Sequence, residues 1–454
     1  MKQKALLIIF SIILMSSLYG CKITPGEEIV INKGDGELEK LIQSTPVPAE
    51  QSMKIADWQE TYTLNNLKCE IDADIILPQT NIFPVYKVKK RSFSAECVKS
   101  INNFFTAAAT GMRPTSDTKE ELELQLVQVK RGAYVVDDAG GRWEPYEGQE
   151  EDIEHLEQQI KNAPEEVFSP ISDDQITLPA TYTYSMLDKS RVYVNADERA
   201  IEVFTVKYGI VQLESWVEAG GAAPGEPVGT TIDNVKISNK DARETVNTFL
   251  LDQNIEDFGI AEMEKARIID SLTGAIASEG WSISLTRSDG DSIPVCLDSS
   301  ELSGLLYFGT KDYVERWPQE VITFFVDERG IKSFLWTHPL EVVEVLNSNI
   351  NIMSFDEVKK TIKENIKFGM IQREAISNTT GRYQLKIDKI ILSNVLVPIK
   401  DNLEYQMLIP VWLVFYKNED SANNTVFAVN AIDGSSVDLL LRHGLTERES
   451  APPR

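Results

Sequence analysis

Apolar and polar positions alternate in the same form at three places along the chain. The runs are Val192–Val203, Phe324–Phe334 and Phe427–Val437. Each reads as an apolar strand, a turn holding an aspartate, and a second alternating strand. Gly330 and Gly434 suit turn positions with positive φ, where Asp and Asn also help through side-chain hydrogen bonds. Upstream of each hairpin the apolar spacing changes to that of a helix. Helices are predicted over Ser94–Phe105, Ser238–Asp252 and Ser354–Phe368. In the last, Ser354 and Glu357 form a capping box ahead of the stripe Phe355, Val358, Ile362 and Ile366. The pattern predicts an α+β fold of tandem modules, each a helix packed on an antiparallel sheet. The expected boundaries are 57–230 for an N-terminal module with an acidic insertion, 231–348 for a middle module and 349–445 for a C-terminal one.

The start of the chain follows another rule. Lys2 and Lys4 precede an apolar run, Ala5–Met15, broken only by Ser11. That run is short for a bilayer span and sits where a secretory signal sits. It leads into Leu18-Tyr19-Gly20-Cys21, which resembles the bacterial lipobox. The resemblance implies cleavage before Cys21, acylation of its thiol, and a cell-membrane lipoprotein held on the extracytoplasmic face. Residues 1–20 are then a signal peptide. Residues 21–56, polar and carrying Pro25, Pro46 and Pro48, are expected to form a tether.

With 42% hydrophobic and 25% charged residues in 454, the chain has ample core for several domains. Lys and Arg number 45 against 70 Asp and Glu, a net charge of −25. Such a surface repels phosphate backbones, and no local basic patch stands out in the sequence, so nucleic acid is not an expected partner. Much of the negative charge lies in Asp137–Gln175, where 13 acidic residues face only Arg142 and Lys161. A solvated helix and loop is the simplest reading of that stretch. Cys69 and Cys97 sit on apolar faces and read as core residues, with a disulfide between them the lesser alternative. No Cys/His spacing suits zinc, and no metal or cofactor is expected.

Catalytic signatures are missing. The sequence has no GxSxG, HExxH, Walker A or GxGxxG ahead of a helix. Ser116-Asp117-Thr118-Lys119 matches the SxxK pattern of serine–lysine acylases without its SDN and KTG companions, and helix capping explains Ser116. Of the three histidines, His155, His338 and His443, the one before Pro339 is the most interesting, since Trp336 stands two residues away. A structural histidine is still the plainer reading.

One further likeness concerns the C-terminal part. Leu408-Ile409-Pro410-Val411-Trp412, followed by Val429-Asn430-Ala431-Ile432-Asp433-Gly434, resembles the end of PepSY-like modules. There a Pro- and Trp-bearing strand pairs with a final hairpin. With Asn32–Gly36, Trp143–Glu151 and the Ile331–Ile352 run, the chain resembles an uncharacterised family of Firmicutes lipoproteins. The likeness implies a non-catalytic module that binds or regulates an envelope protein or peptide. Candidate partner-binding residues are Trp412, Asp433, Gly434, Trp336 and His338. Trp412 also reads as a core aromatic in a strand buried on both faces, with Pro410 demanding an edge or a bulge. The alternatives are a solute- or glycan-binding lipoprotein and a carboxylate-dependent hydrolase, whose paired acids sequence alone does not reveal.

Overall fold

The structure is a computed structural model. The residues it describes lie between 37 and 439, without 48–54, 56, 65–66, 115–117, 138–139, 166–167, 171–177, 189, 208–231, 270–275, 289–291, 298–316, 378–382, 400–401, 419–424 and 438. A short helix α1 (Glu37–Ile42) precedes strands β1 (Trp58–Leu64), β2 (Leu67–Ile76) and β3 (Val85–Lys90). Helix α2 (Ala95–Thr106) and β4 (Ala109–Pro114) follow. An insertion then holds α3 (Lys119–Arg131), the hairpin β5 (Ala133–Asp137) and β6 (Gly140–Glu144), and α4 (Gln149–Asn162). Next come β7 (Ala180–Met186), β8 (Ser190–Ala196) and β9 (Ala200–Lys207). Helix α5 (Asn239–Asp252) leads into β10 (Phe258–Ile269), β11 (Ile276–Arg287), β12 (Val321–Asp327), β13 (Gly330–Thr337) and β14 (Leu340–Asn347). The last part is α6 (Phe355–Ser377), β15 (Tyr383–Ile399), β16 (Asn402–Asn418), β17 (Thr425–Asn430) and β18 (Ser436–Val437).

The α+β class and its helix-on-sheet modules are present. All three predicted helices form, and a serine caps each start: Ser354 as expected, and Ser94 and Ser238 in addition. Ser94 Oγ accepts from Cys97 N at 3.2 Å, Ser238 Oγ accepts from Asp241 N at 3.1 Å, and Ser354 N and Oγ both donate to Glu357. The three hairpins form as well, and one device closes all of them. Asp197, Asp327 and Asp433 each accept from the backbone N–H two residues on, at 2.6, 2.7 and 2.9 Å. Gly330 and Gly434 take φ +103 and +76, where a side chain would be strained.

Sheet membership departs from the expected boundaries. The central sheet, in the order β10-β11-β12-β13-β9-β8-β7-β4, is antiparallel throughout and fuses two modules edge to edge. Trp336 of β13 pairs with Ile201 of β9 at the joint. Helices α2 and α5 cover one face of it. Phe249 of α5 lies 4.8 Å from Phe104, 5.4 Å from Phe324 and 5.3 Å from Phe334, so both helices and both halves share one core. The terminal sheet is assembled from the two ends of the described chain, in the order β1-β2-β15-β16-β17-β18, with β3 and β14 branching from β16. Helix α6 covers it: Phe355 meets Trp412 at 5.0 Å and Trp58 at 6.2 Å. The 57–230 and 349–445 modules therefore do not stand apart. Strands β1 to β3 leave the former to complete the latter, because β2 pairs in parallel with β15.

Two smaller expectations are also revised, and the reading of Cys69 and Cys97 as core residues stands. Pro410 is not at an edge: it lies within β16, opposite Asn394 of β15. On the other side β3 pairs with β16 up to Leu408 and β17 takes over from Val411. A residue with no N–H to give fits that gap, and its carbonyl accepts from Ala431 N at 3.1 Å. The cap of α3 is Thr118, in a capping box with Glu121, while Ser116 lies outside the described residues. Cys69 and Cys97 belong to different cores and carry free thiols, and burial pushes Cys69 up to about 11.

Part of the expected tether is docked. Ile42 is buried, and two buried asparagines after the core of β14 clamp the segment that follows it. Asn347 Nδ2 donates to Ile42 O at 2.9 Å and to Ser44 O at 3.0 Å. Asn349 Nδ2 donates to Val47 O at 2.8 Å, while Val47 N returns a bond to Asn349 O at 3.0 Å.

Two outcomes are expected from this packing. Phe249→Ala removes the ring at the centre of the shared core and lowers stability by about 3–5 kcal/mol in urea melts. Replacing Asn347 and Asn349 together by Ala frees the strap, so limited proteolysis should cut within residues 42–47 roughly tenfold faster or more. An unchanged cutting rate would show that the clamp does not hold it.

Candidate functional site

The sequence-derived candidates fall at two separate places. Trp412 is 0% exposed in the core of the terminal sheet, and its Nε1 has no hydrogen-bond partner among the described residues. Asp433 and Gly434 form the β17–β18 turn beside it. Asp433 is buried and accepts from Ser435 N and Oγ, while a Cβ on Gly434 would come within 2.9 Å of Met353 Sδ. These three build the end of the sheet and offer little to a partner. Trp336 is likewise buried, with edge contacts to Phe93 at 4.9 Å and Phe258 at 5.7 Å. Of the candidates within the described residues, His338 alone is exposed. Cys21 lies outside the described residues.

Trp336 marks the seam between the sheets. Its Nε1 donates to Glu320 Oε1 at 3.1 Å, and Arg287 Nε donates to Glu320 Oε2 at 2.8 Å. Arg287 reaches on to Leu340 O at 3.2 Å, so one buried carboxylate ties β11, β13 and the start of β14 together. Burial raises the Glu320 pKa against the opposing pull of Arg287. Both oxygens are occupied by fixed donors, which makes the group a structural tie. The cavity beside it, lined by Val88, Leu340, Leu396 and Leu408, holds about 30 Å³. That is room for a water or two, where a small-ligand pocket needs roughly 300 Å³ or more.

Two surfaces near the seam have more to offer. The first is β14, which pairs with β3 on one side and, among the described residues, with nothing on the other. Val342, Val343 and Val345 are 39%, 37% and 54% exposed along it. Glu341 is held by Lys89 at 3.3 Å, and Glu344 makes no ion pair among the described residues. An open main-chain edge with β-branched side chains is the geometry that accepts an added strand.

The second surface corrects the expectation that no basic patch exists. Lys90 and Arg91 end β3, and the fold brings Arg199 and His338 to them. Arg91 N donates to Pro339 O at 2.8 Å and His338 N donates to Arg199 O at 2.9 Å. The sequence run Lys87–Arg91 was the available signal. Its cations are shared between two strand faces, and the other half of the cluster lies on distant turns.

No known family model matches the chain, and no curated protein does. Among solved structures it is similar to an uncharacterised protein from Eubacterium rectale, with 12% identity and a TM-score of 0.39, over 89% of this chain and 99% of that one. Among the described residues no helix is long and apolar enough to cross a membrane.

The exposed histidine gives a direct check. Partial burial, then the charges of Lys90 and Arg199, hold His338 below its ordinary value near 6.5. Histidine-ring NMR should find a midpoint below that value, rising toward it in Arg199→Gln. A midpoint at or above 6.5 in the unmodified protein would contradict the placement of those cations.

Proposed function

We propose that this protein is a lipid-anchored, extracytoplasmic binding protein without catalysis of its own, which takes up an extended segment of an envelope protein along β14. The observation that carries the reading is the edge of that strand, where Val342, Val343 and Val345 are exposed beside main chain that pairs with no strand among the described residues. The segment it suits is apolar and β-branched opposite the valines, with a Lys or Arg opposite Glu344. Main-chain pairing supplies affinity, and those side-chain positions supply selectivity. The lipobox-like Leu18–Cys21 supports the anchor. The pairing of Trp412 with Val429, next to the Asn430–Gly434 turn, supports a PepSY-like C-terminal module.

The anchor and the edge are tested separately. Wild-type protein should fractionate with membranes and Cys21→Ala should not. Crosslinking in intact membranes should recover a partner whose yield falls about tenfold or more when Val343 and Val345 are both replaced by Lys. Recovery of no partner, or equal recovery by the edge variant, would end the binding reading.

A further inference from the structure

We infer a phosphate-binding site where Lys90, Arg91, Arg199 and His338 meet at the crossing of the two links between the sheets. This inference is independent of the reading for β14. One link runs from β3 to α2 through Arg91, and the other is His338-Pro339 between β13 and β14. The β8–β9 turn brings Arg199 against them. Backbone hydrogen bonds hold the three passages in register: Arg91 N to Pro339 O at 2.8 Å, His338 N to Arg199 O at 2.9 Å, and Phe93 N to Glu198 O at 3.2 Å. Lys90 lies opposite Leu340 in the β3·β14 pair. All four side chains are exposed.

Among the described residues Lys90, Arg91 and Arg199 make no ion pair, in a chain whose net charge is −25. The nearby acids are engaged elsewhere or make no pair with them. Asp197 accepts from the turn amides of Arg199 and Ala200, Glu341 pairs with Lys89, and Glu198 forms no ion pair among the described residues. Like charges gathered without a counter-ion repel one another, and an anion relieves them.

Two of the cations are also pre-positioned. The Arg91 guanidinium stands 5.4 Å from the centre of the Trp336 ring, and Lys90 Nζ stands 5.0 Å from that of Trp317. Both rings are buried and fixed, so little freedom remains to be lost on binding. His338 adopts φ 54, a left-handed conformation that is uncommon for a side chain and more so before proline. That backbone holds its ring at the same crossing as a further donor. Three permanent cations with two guanidinium forks match the charge and geometry of a phosphate better than a single carboxylate. The phosphate can be that of a lipid headgroup or of a soluble molecule.

The test uses the full chain with Cys21→Ala, so that no acyl chain contributes. Inorganic phosphate is titrated by calorimetry, and sedimentation is measured with phosphatidylglycerol and phosphatidylcholine vesicles. Saturable phosphate binding should weaken roughly tenfold or more in Arg91→Gln/Arg199→Gln and stay unchanged in Lys240→Gln/Lys360→Gln. Binding to phosphatidylglycerol alone, with the same dependence on the two arginines, assigns the site to a headgroup. If the arginine variant fails to fold, His338→Asn replaces it, since Asn also tolerates the left-handed backbone, and should weaken binding several-fold. Absence of binding to either probe, or binding that the cluster variant leaves intact, overturns the site.

Discussion

The parallel pairing of β2 with β15 is the contact on which the architecture depends. Leu67 lies opposite Tyr383 and Ile76 opposite Ile391, so a strand near the start of the described chain is built into the sheet made by its end. Parallel neighbours need a crossover between them, usually a helix. Here the crossover contains the entire central sheet. The entropy of closing a loop grows only slowly with its length, so a long excursion costs little more than a short one. What repays it is burial: Leu67, Cys69, Ile71 and Ala73 face inward on β2, against Leu385, Ile387 and Ile390 on β15. Lys363 on α6 then reaches Glu60 on β1 across 303 residues of sequence at 2.5 Å.

Closing the chain in this way determines what is left open. Two passages must connect the sheets, through Arg91–Ser94 and through His338-Pro339, and they run side by side at the seam. The seam is sealed by Glu320, Arg287 and Trp336 and by Ser393 Oγ donating to Ile293 O at 2.6 Å. Strand β14 emerges from it directly after the second passage and pairs only with β3 among the described residues. Its bulges between Val342 and Glu344 and between Val345 and Asn347 break its register, which leaves valines facing solvent. The open edge and the basic crossing are thus consequences of one topological choice.

The elements that could be read from sequence are those whose determinants lie close together along the chain. Ser94, Ser238 and Ser354 cap helices through neighbours three residues away, and Asp197, Asp327 and Asp433 close turns through an amide two residues away. The candidate site was legible only in part. His338 stood out because Trp336 and Pro339 flank it, yet nothing local announces Arg199 as its neighbour. Trp412 and Trp336 drew attention as aromatics, but what decides between a groove and a core is the helix or turn that covers them, and Phe355 and Phe93 cover them here.

By itself, then, the amino-acid sequence determined three helix-and-hairpin units, their caps and turns, and the acidic balance of the surface, because each follows from spacing within a few residues. Only the tertiary structure decided that two units share a sheet, that β1 to β3 join the third, that residues 42–47 are clamped by Asn347 and Asn349, and that basic side chains from three distant segments share one crossing. Those outcomes rest on strand pairings between residues far apart in the chain. Such pairings are selected by complementary buried faces, which a one-dimensional pattern of apolar positions presents equally to several partners.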